Sequence, residues 1–176
     1  MFEKILATVF KAKHWEIFVT LISLSLIESI VETILPVVGM ILDVISTTVI
    51  LGWILVLGYG LARLRKDQGS TRFWVFIGTG IQLIIATTLS KLIITIKELE
   101  FTIEGNLPEL LILLVYSLMS TAIIFSYPAK TLKLLETKED IDINDYFGDI
   151  IRLLFWPIGI WTIQPRINKI ANFKLD

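Results

Sequence analysis

Four apolar stretches of about 20 residues dominate this chain, the length an α-helix needs to cross roughly 30 Å of hydrocarbon. They run from about Trp15 to Leu35, from Ile41 to Ala62, from Phe73 to Ile96 and from Leu107 to Tyr127. Composition points the same way. The chain is 55% hydrophobic and only 19% charged, whereas a soluble domain carries about 25% charged residues. The fold class that follows is all-α: an integral membrane four-helix bundle spanning residues 14–129.

Between the first two stretches the apolar character barely drops. A single helix across both would be about 70 Å long and could not fit a bilayer. Pro36 and Gly39 break the run, so a tight hairpin at Pro36–Met40 is expected. Orientation follows from the positive-inside rule. Of the 16 basic residues, 14 fall at the N-terminus, in the loop from Arg63 to Arg72, or from Lys130 onward. Lys97 stands alone in the acidic loop between the third and fourth stretches, and Lys91 lies inside the third. Both termini are therefore expected in the cytoplasm, with the chain in the inner membrane. No short apolar core followed by a small-residue cleavage site opens the chain, so the first stretch is expected to remain as a span.

Three segments are not spans. In Met1–Lys13, the apolar residues Phe2, Ile5, Leu6, Val9 and Phe10 share one helical face, which predicts an amphipathic interfacial helix. His14 and Trp15 would follow it at headgroup level, where aromatic residues are enriched. Residues 130–145 read as an acidic cytoplasmic linker. Its Asp140–Asp145 run resembles a calcium loop only in outline: Asp145 stands where that loop needs glycine and Ile151 where it needs glutamate, so no metal is expected. Residues 146–176 read as membrane-associated. Asp145, Asp149 and Arg152 share one helical face, and Phe147, Ile150, Ile151 and Leu154 the other. The apolar run from Ile150 to Ile163 is too short to span and is broken at Pro157 and Gly159, which predicts a re-entrant or interfacial segment.

Two motifs carry a resemblance. Lys11-Ala12-Lys13-His14-Trp15 and the run Phe155-Trp156-Pro157-Ile158-Gly159-Ile160-Trp161-Thr162-Ile163-Gln164-Pro165-Arg166-Ile167-Asn168-Lys169 resemble the end motifs of small, uncharacterised bacterial polytopic membrane proteins. The resemblance implies a bacterial inner-membrane setting and no particular chemistry.

An ionisable side chain inside a span costs about 2.5–3.5 kcal/mol on insertion scales, so it marks a candidate site. There are four: Glu28 and Glu32 in the first stretch, Asp43 opening the second and Lys91 in the third. At about 1.5 Å per residue, all four fall in the outer half of the membrane. Glu28 and Glu32 share a polar stripe with Ser25 and Ser29. Asp43 heads another with Ser46 and Thr47. An ion pair from Lys91 to Glu28 or Glu32 would fix helix packing. Alternatively, the stripes line a polar cavity for a cation, a proton or a small solute. Ser and Thr also hold membrane helices together, and Gly52, Gly58, Gly60, Gly78 and Gly80 read as close-packing positions.

Enzyme chemistry has little to work with. There is no cysteine and one histidine, and Asp43 is the one aspartate inside a span. These counts disfavour thiol, Ser–His, metallopeptidase and paired-aspartate sites, and no phosphate-binding glycine loop is present. Neither a cofactor nor a catalytic residue is expected. The expected function is that of a scaffold, an accessory subunit or a partner-binding module in the lipid bilayer. The alternative is an oligomeric ion, proton or solute pathway through the four ionisable residues. Nothing in the near-neutral net charge suggests nucleic acid.

Overall fold

The computed structural model describes residues 8–98, 107–137 and 141–175, with the side chains at 91–98, 107–110, 113 and 172–175 outside that description. Regular structure among the described residues is all helical. A turn at 8–11 precedes six helices: α1 (His14–Ile34), α2 (Pro36–Arg65), α3 (Thr71–Glu98), α4 (Leu107–Thr137), α5 (Ile143–Leu154) and α6 (Trp156–Leu175). Among the described residues, α1, α2 and the Thr71–Ser90 part of α3 are each long and apolar enough to cross a membrane. Phe2, Ile5 and Leu6 of the expected amphipathic helix lie outside the described residues.

Local chemistry sets the helix boundaries. Leu35 is the one non-helical residue between α1 and α2, and Pro36 occupies the first turn of α2, where its missing N–H costs nothing. The expected break is thus real but tighter than Pro36–Met40, and those five residues begin α2 instead. Gly39 lies against the Glu32 backbone where a Cβ would clash, which is what lets the two helices turn on one residue. α2 ends on Lys66 in the left-handed region, with φ 64°. The Asp67 N–H then closes on the Ala62 carbonyl at 2.9 Å, a Schellman-type end. Ser70 starts α3, its hydroxyl accepting the Phe73 N–H at 3.2 Å.

α2 is the centre of the packing. It lies against α1, α3 and α4, while α3 and α4 also pack on each other. α1 packs chiefly on α2 and α6, and α5 bridges α4 and α6. α2 and α4, at 30 and 31 residues, are about 45 Å long, some 15 Å more than a bilayer core. The excess of α4 corrects the linker boundary. Residues 130–137, expected in an acidic linker, are the last two turns of α4, and Ala129, Leu132 and Leu135 bury themselves there against α5 and α6.

The core is concentrated at the end carrying Arg63, Arg65, Lys66 and Arg72, the basic end. Ile54, Leu57 and Leu61 of α2 meet Phe76 of α3, Ile124 and Leu132 of α4, Leu153 of α5, and Ile160 and Ile163 of α6. Phe10 joins them at 3% exposure, so the described end of the N-terminal segment turns inward on the protein. Toward the far end the surface is apolar and open: Ile34, Val37 and Ile112 are each more than 60% exposed. That is the pattern of helices solvated by lipid, where apolar surface has no reason to hide.

Two glycine expectations change. Gly58 lies against the Phe76 ring and Gly80 against the Leu55 side chain, so both are close-packing positions. A Cβ at Gly52 or Gly78 would meet nothing within 4 Å, so neither of these serves close packing.

Candidate functional site

The sequence pointed to Glu28, Glu32, Asp43 and Lys91. The α1–α2 hairpin sets the register of the first three. Glu32 lies beside Gly39, and the hydroxyls of Ser25 and Ser46 approach to 3.4 Å. Each of these pairs is almost equidistant from Leu35. Glu28 and Asp43 occupy the level between them, one helical turn from each contact, on the same inward faces. Both are half-buried and both engage interaction partners. Thr47 donates to Asp43 across 3.4 Å, a long contact within α2. Glu32 is exposed near the turn. The side chain of Lys91 lies outside the described residues. The hairpin therefore puts the Glu28 and Asp43 positions on one level, and leaves Glu32 a turn farther out. No group of three or more metal-ligating side chains occurs among the described residues.

The densest polar site is elsewhere, at the basic end, and it was not among the sequence candidates. Arg166 of α6 reaches two carboxylates at once. Its Nε and Nη2 donate to Glu136 of α4 at 2.7 and 2.6 Å, and its Nη1 and Nη2 donate to Asp149 of α5 at 2.6 and 2.8 Å. Arg152 adds a bond to Asp149 Oδ1 at 2.7 Å. One planar guanidinium thus ties three helices, a geometry lysine cannot reproduce. Asp149 is only 3% exposed. Burial pushes its carboxyl up, but the hydrogen bonds and charge of Arg166, then of Arg152, outweigh burial and hold it below the usual carboxylate range. Arg166 is raised in turn, first by its bond to Glu136 and against desolvation.

A second tie joins the two ends of the chain. Gln164, fully buried, donates its side-chain N–H to the Val9 carbonyl at 2.7 Å and to Asn168 Oδ1 at 2.9 Å. Asn168 then donates to the Ala12 carbonyl at 3.0 Å. These two amides satisfy carbonyls where the turn at 8–11 ends, groups that would otherwise be unpaired at a helix end. Trp161 meets His14 in a tilted contact and Phe18 edge-on, at centroid distances of 4.6 and 5.6 Å, which places His14 in an aromatic contact. Gly159 packs on the Arg152 carbonyl and allows the sharp elbow between α5 and α6.

Of the α5 face that the sequence marked as polar, Asp149 alone packs on the protein, while Asp145 and Arg152 stay exposed. Asp149, with Tyr146 and Leu153, is buried, while Phe147, Ile151 and Leu154 are exposed. Phe155 and Ile158 extend this open apolar strip across the elbow, Ile158 at 60% exposure. An open apolar strip beside the inward-turned Asp149 matches an apolar surrounding on that side. The sequence signal was present in the Asp149–Arg152 spacing and in the Gln164-Pro165-Arg166 exit. What it lacked was the partner, Glu136, on another helix.

Comparison with known proteins yields no matching family model, no significantly similar curated protein and no significantly similar solved structure.

Proposed function

We propose that this chain is a non-enzymatic polytopic membrane protein, with four spans, both termini on the cytoplasmic side of a bacterial inner membrane, and a scaffolding, accessory-subunit or partner-binding role. The observation supporting this reading is the Arg166 junction. Its charged groups pair with one another and hold α5 and α6 on the end of α4, while the Gln164 and Asn168 amides tie α6 to residues 9 and 12 ahead of α1. The result is a fixed platform at the basic end, with an apolar strip from Phe147 to Ile158 facing outward. Groups committed to mutual pairing do not present an acid, base or nucleophile to a substrate. In this reading α4 supplies the fourth span, and its last turns carry Glu136 clear of the membrane to meet Arg166.

A second reading rests on one observation, the shared level of Glu28 and Asp43 inside the α1–α2 interface. Paired membrane carboxylates suit a proton or cation pathway. Flux assays on the purified protein in liposomes separate the two. The scaffold reading expects no proton or cation flux above empty vesicles under an imposed gradient. Flux in the wild type that Glu28→Gln abolishes would establish the pathway instead.

A further inference from the structure

Between α1 and α2, below the carboxylate level, lies an open groove of about 470 Å³, within the range of small-molecule sites. Its walls are apolar: Ile17 and Leu21 on α1, and Val49, Gly52, Trp53 and Val56 on α2. Gly52 forms part of the floor, and because a Cβ there would meet nothing, the glycine leaves space that no side chain of this protein fills. The indole Nε1 of Trp53 is buried and has no hydrogen-bond partner.

At its basic-end mouth the groove runs into a second recess of about 380 Å³. The two share Thr8, Ala12 and Glu16, and the recess adds Lys11. The Glu16 carboxylate turns back to accept the Lys13 backbone N–H at 2.8 Å and so caps α1. Lys11 is exposed and belongs to no ion pair among the described residues. The apolar slot is therefore continuous with a mouth that holds the Lys11 ammonium beside the Glu16 carboxylate engaged by the Lys13 N–H, and their order matches the order of a lipid: chain toward the membrane interior, phosphate at the basic end.

We infer that this groove is a binding site for one anionic phospholipid of the leaflet at the basic end, with an acyl chain between Leu21 and Trp53 and the phosphate at Lys11. The membrane itself delivers the ligand. α1 and α2 are spans, so the groove opens sideways into hydrocarbon rather than into water. An ammonium at headgroup depth selects anionic lipids over zwitterionic ones. The inference rests on α1 and α2 crossing the bilayer, which co-flotation of the protein with vesicles checks separately.

A variant keeping Trp53 as its sole tryptophan, reconstituted in phosphatidylcholine vesicles, provides the test. A minor fraction of either phosphatidylglycerol or phosphatidylcholine carries bromine on its acyl chains, which quenches indoles in contact. Brominated phosphatidylglycerol is expected to quench Trp53 at least twofold more than brominated phosphatidylcholine at the same mole fraction. Lys11→Gln should remove the preference, and Gly52→Leu should remove the quenching by filling the slot. Gly78→Leu, equally unhindered but outside the groove, should change neither. Native mass spectrometry of the full wild-type chain gives an independent reading: a retained anionic lipid, lost in Gly52→Leu but not in Gly78→Leu. Equal quenching by both lipids, insensitive to Lys11, would overturn the proposal in favour of ordinary lipid solvation. Absence of quenching, or a dimer that Gly52→Leu dissociates, would overturn it in favour of a protein occupant.

Discussion

At the residue scale, the account turns on Asp149 and Arg166. Removing one partner of a buried ion pair leaves the other charge uncompensated, typically a loss of 3–5 kcal/mol. Arg166 keeps a quarter of its side chain exposed, so the lower end applies. Asp149→Ala should destabilise the α5–α6 pair by about 3 kcal/mol, read as protease sensitivity between residues 138 and 155 at low denaturant. Arg166→Lys should do nearly as much, because a point charge cannot serve two carboxylates with a planar fork. Asp145→Ala, which removes only a first-turn cap on α5, should cost about 1 kcal/mol. The pH dependence has a definite sign. Asp149 is held below its ordinary value of about 3.9, so its contribution is present above that value and lost as pH falls through the lower, folded one. The α5–α6 pair should therefore release only below about pH 4, and in Asp149→Asn this acid step should be absent. Little of this was legible in the sequence. Asp149 and Arg152 were seen to share a face, but which face packs inward depends on Glu136 and Arg166, which lie 13 and 17 positions away from Asp149 along the chain. Charge pairing across helices leaves no periodic trace.

At the element scale, the helices that hydropathy marked are present, and their ends follow Pro36, Lys66 and Ser70. What hydropathy blurred is where helices continue past the apolar stretch. α4 runs on to Thr137 because its polar-side residues Lys130, Lys133 and Glu136 stay outward or paired while Leu132 and Leu135 pack inward. A composition window sees only rising polarity there. The glycines were misjudged as one class for a related reason: close packing is a property of the facing helix. Gly58 faces the Phe76 ring, and Gly78 faces open space. Gly58→Ala should cost about 1–3 kcal/mol through forced displacement of the ring. Gly78→Ala should be neutral or stabilise by up to about 1 kcal/mol, as alanine for glycine does in an unhindered helix. Thermal unfolding of the two variants in one detergent checks this, and equal shifts would count against the packing register of α2 on α3.

At the scale of the whole molecule, the chain is polarised along its helices. One end gathers the core, the ion pairs, the Tyr127–Asp67 hydrogen bond between α4 and the α2–α3 loop, and the ties from α6 to residues 9 and 12. The other end is open and apolar. The relative placement of the chain's two ends follows from these contacts, since Gln164 and Asn168 bind backbone carbonyls beside α1. The central claim is that α5 and α6 lie at the basic end without crossing, so that the C-terminus stays with the Arg63–Arg72 loop. The absence of cysteine from the sequence makes this directly measurable. Single cysteines at Ser70, Lys169 and Gly105 can be labelled in intact cells with a membrane-impermeant maleimide, then again after the membrane is opened. The account predicts that Gly105→Cys labels in intact cells, and that Ser70→Cys and Lys169→Cys label only after opening. Labelling of Lys169→Cys together with Gly105→Cys in intact cells would mean that the C-terminal helices cross the membrane, and would contradict it.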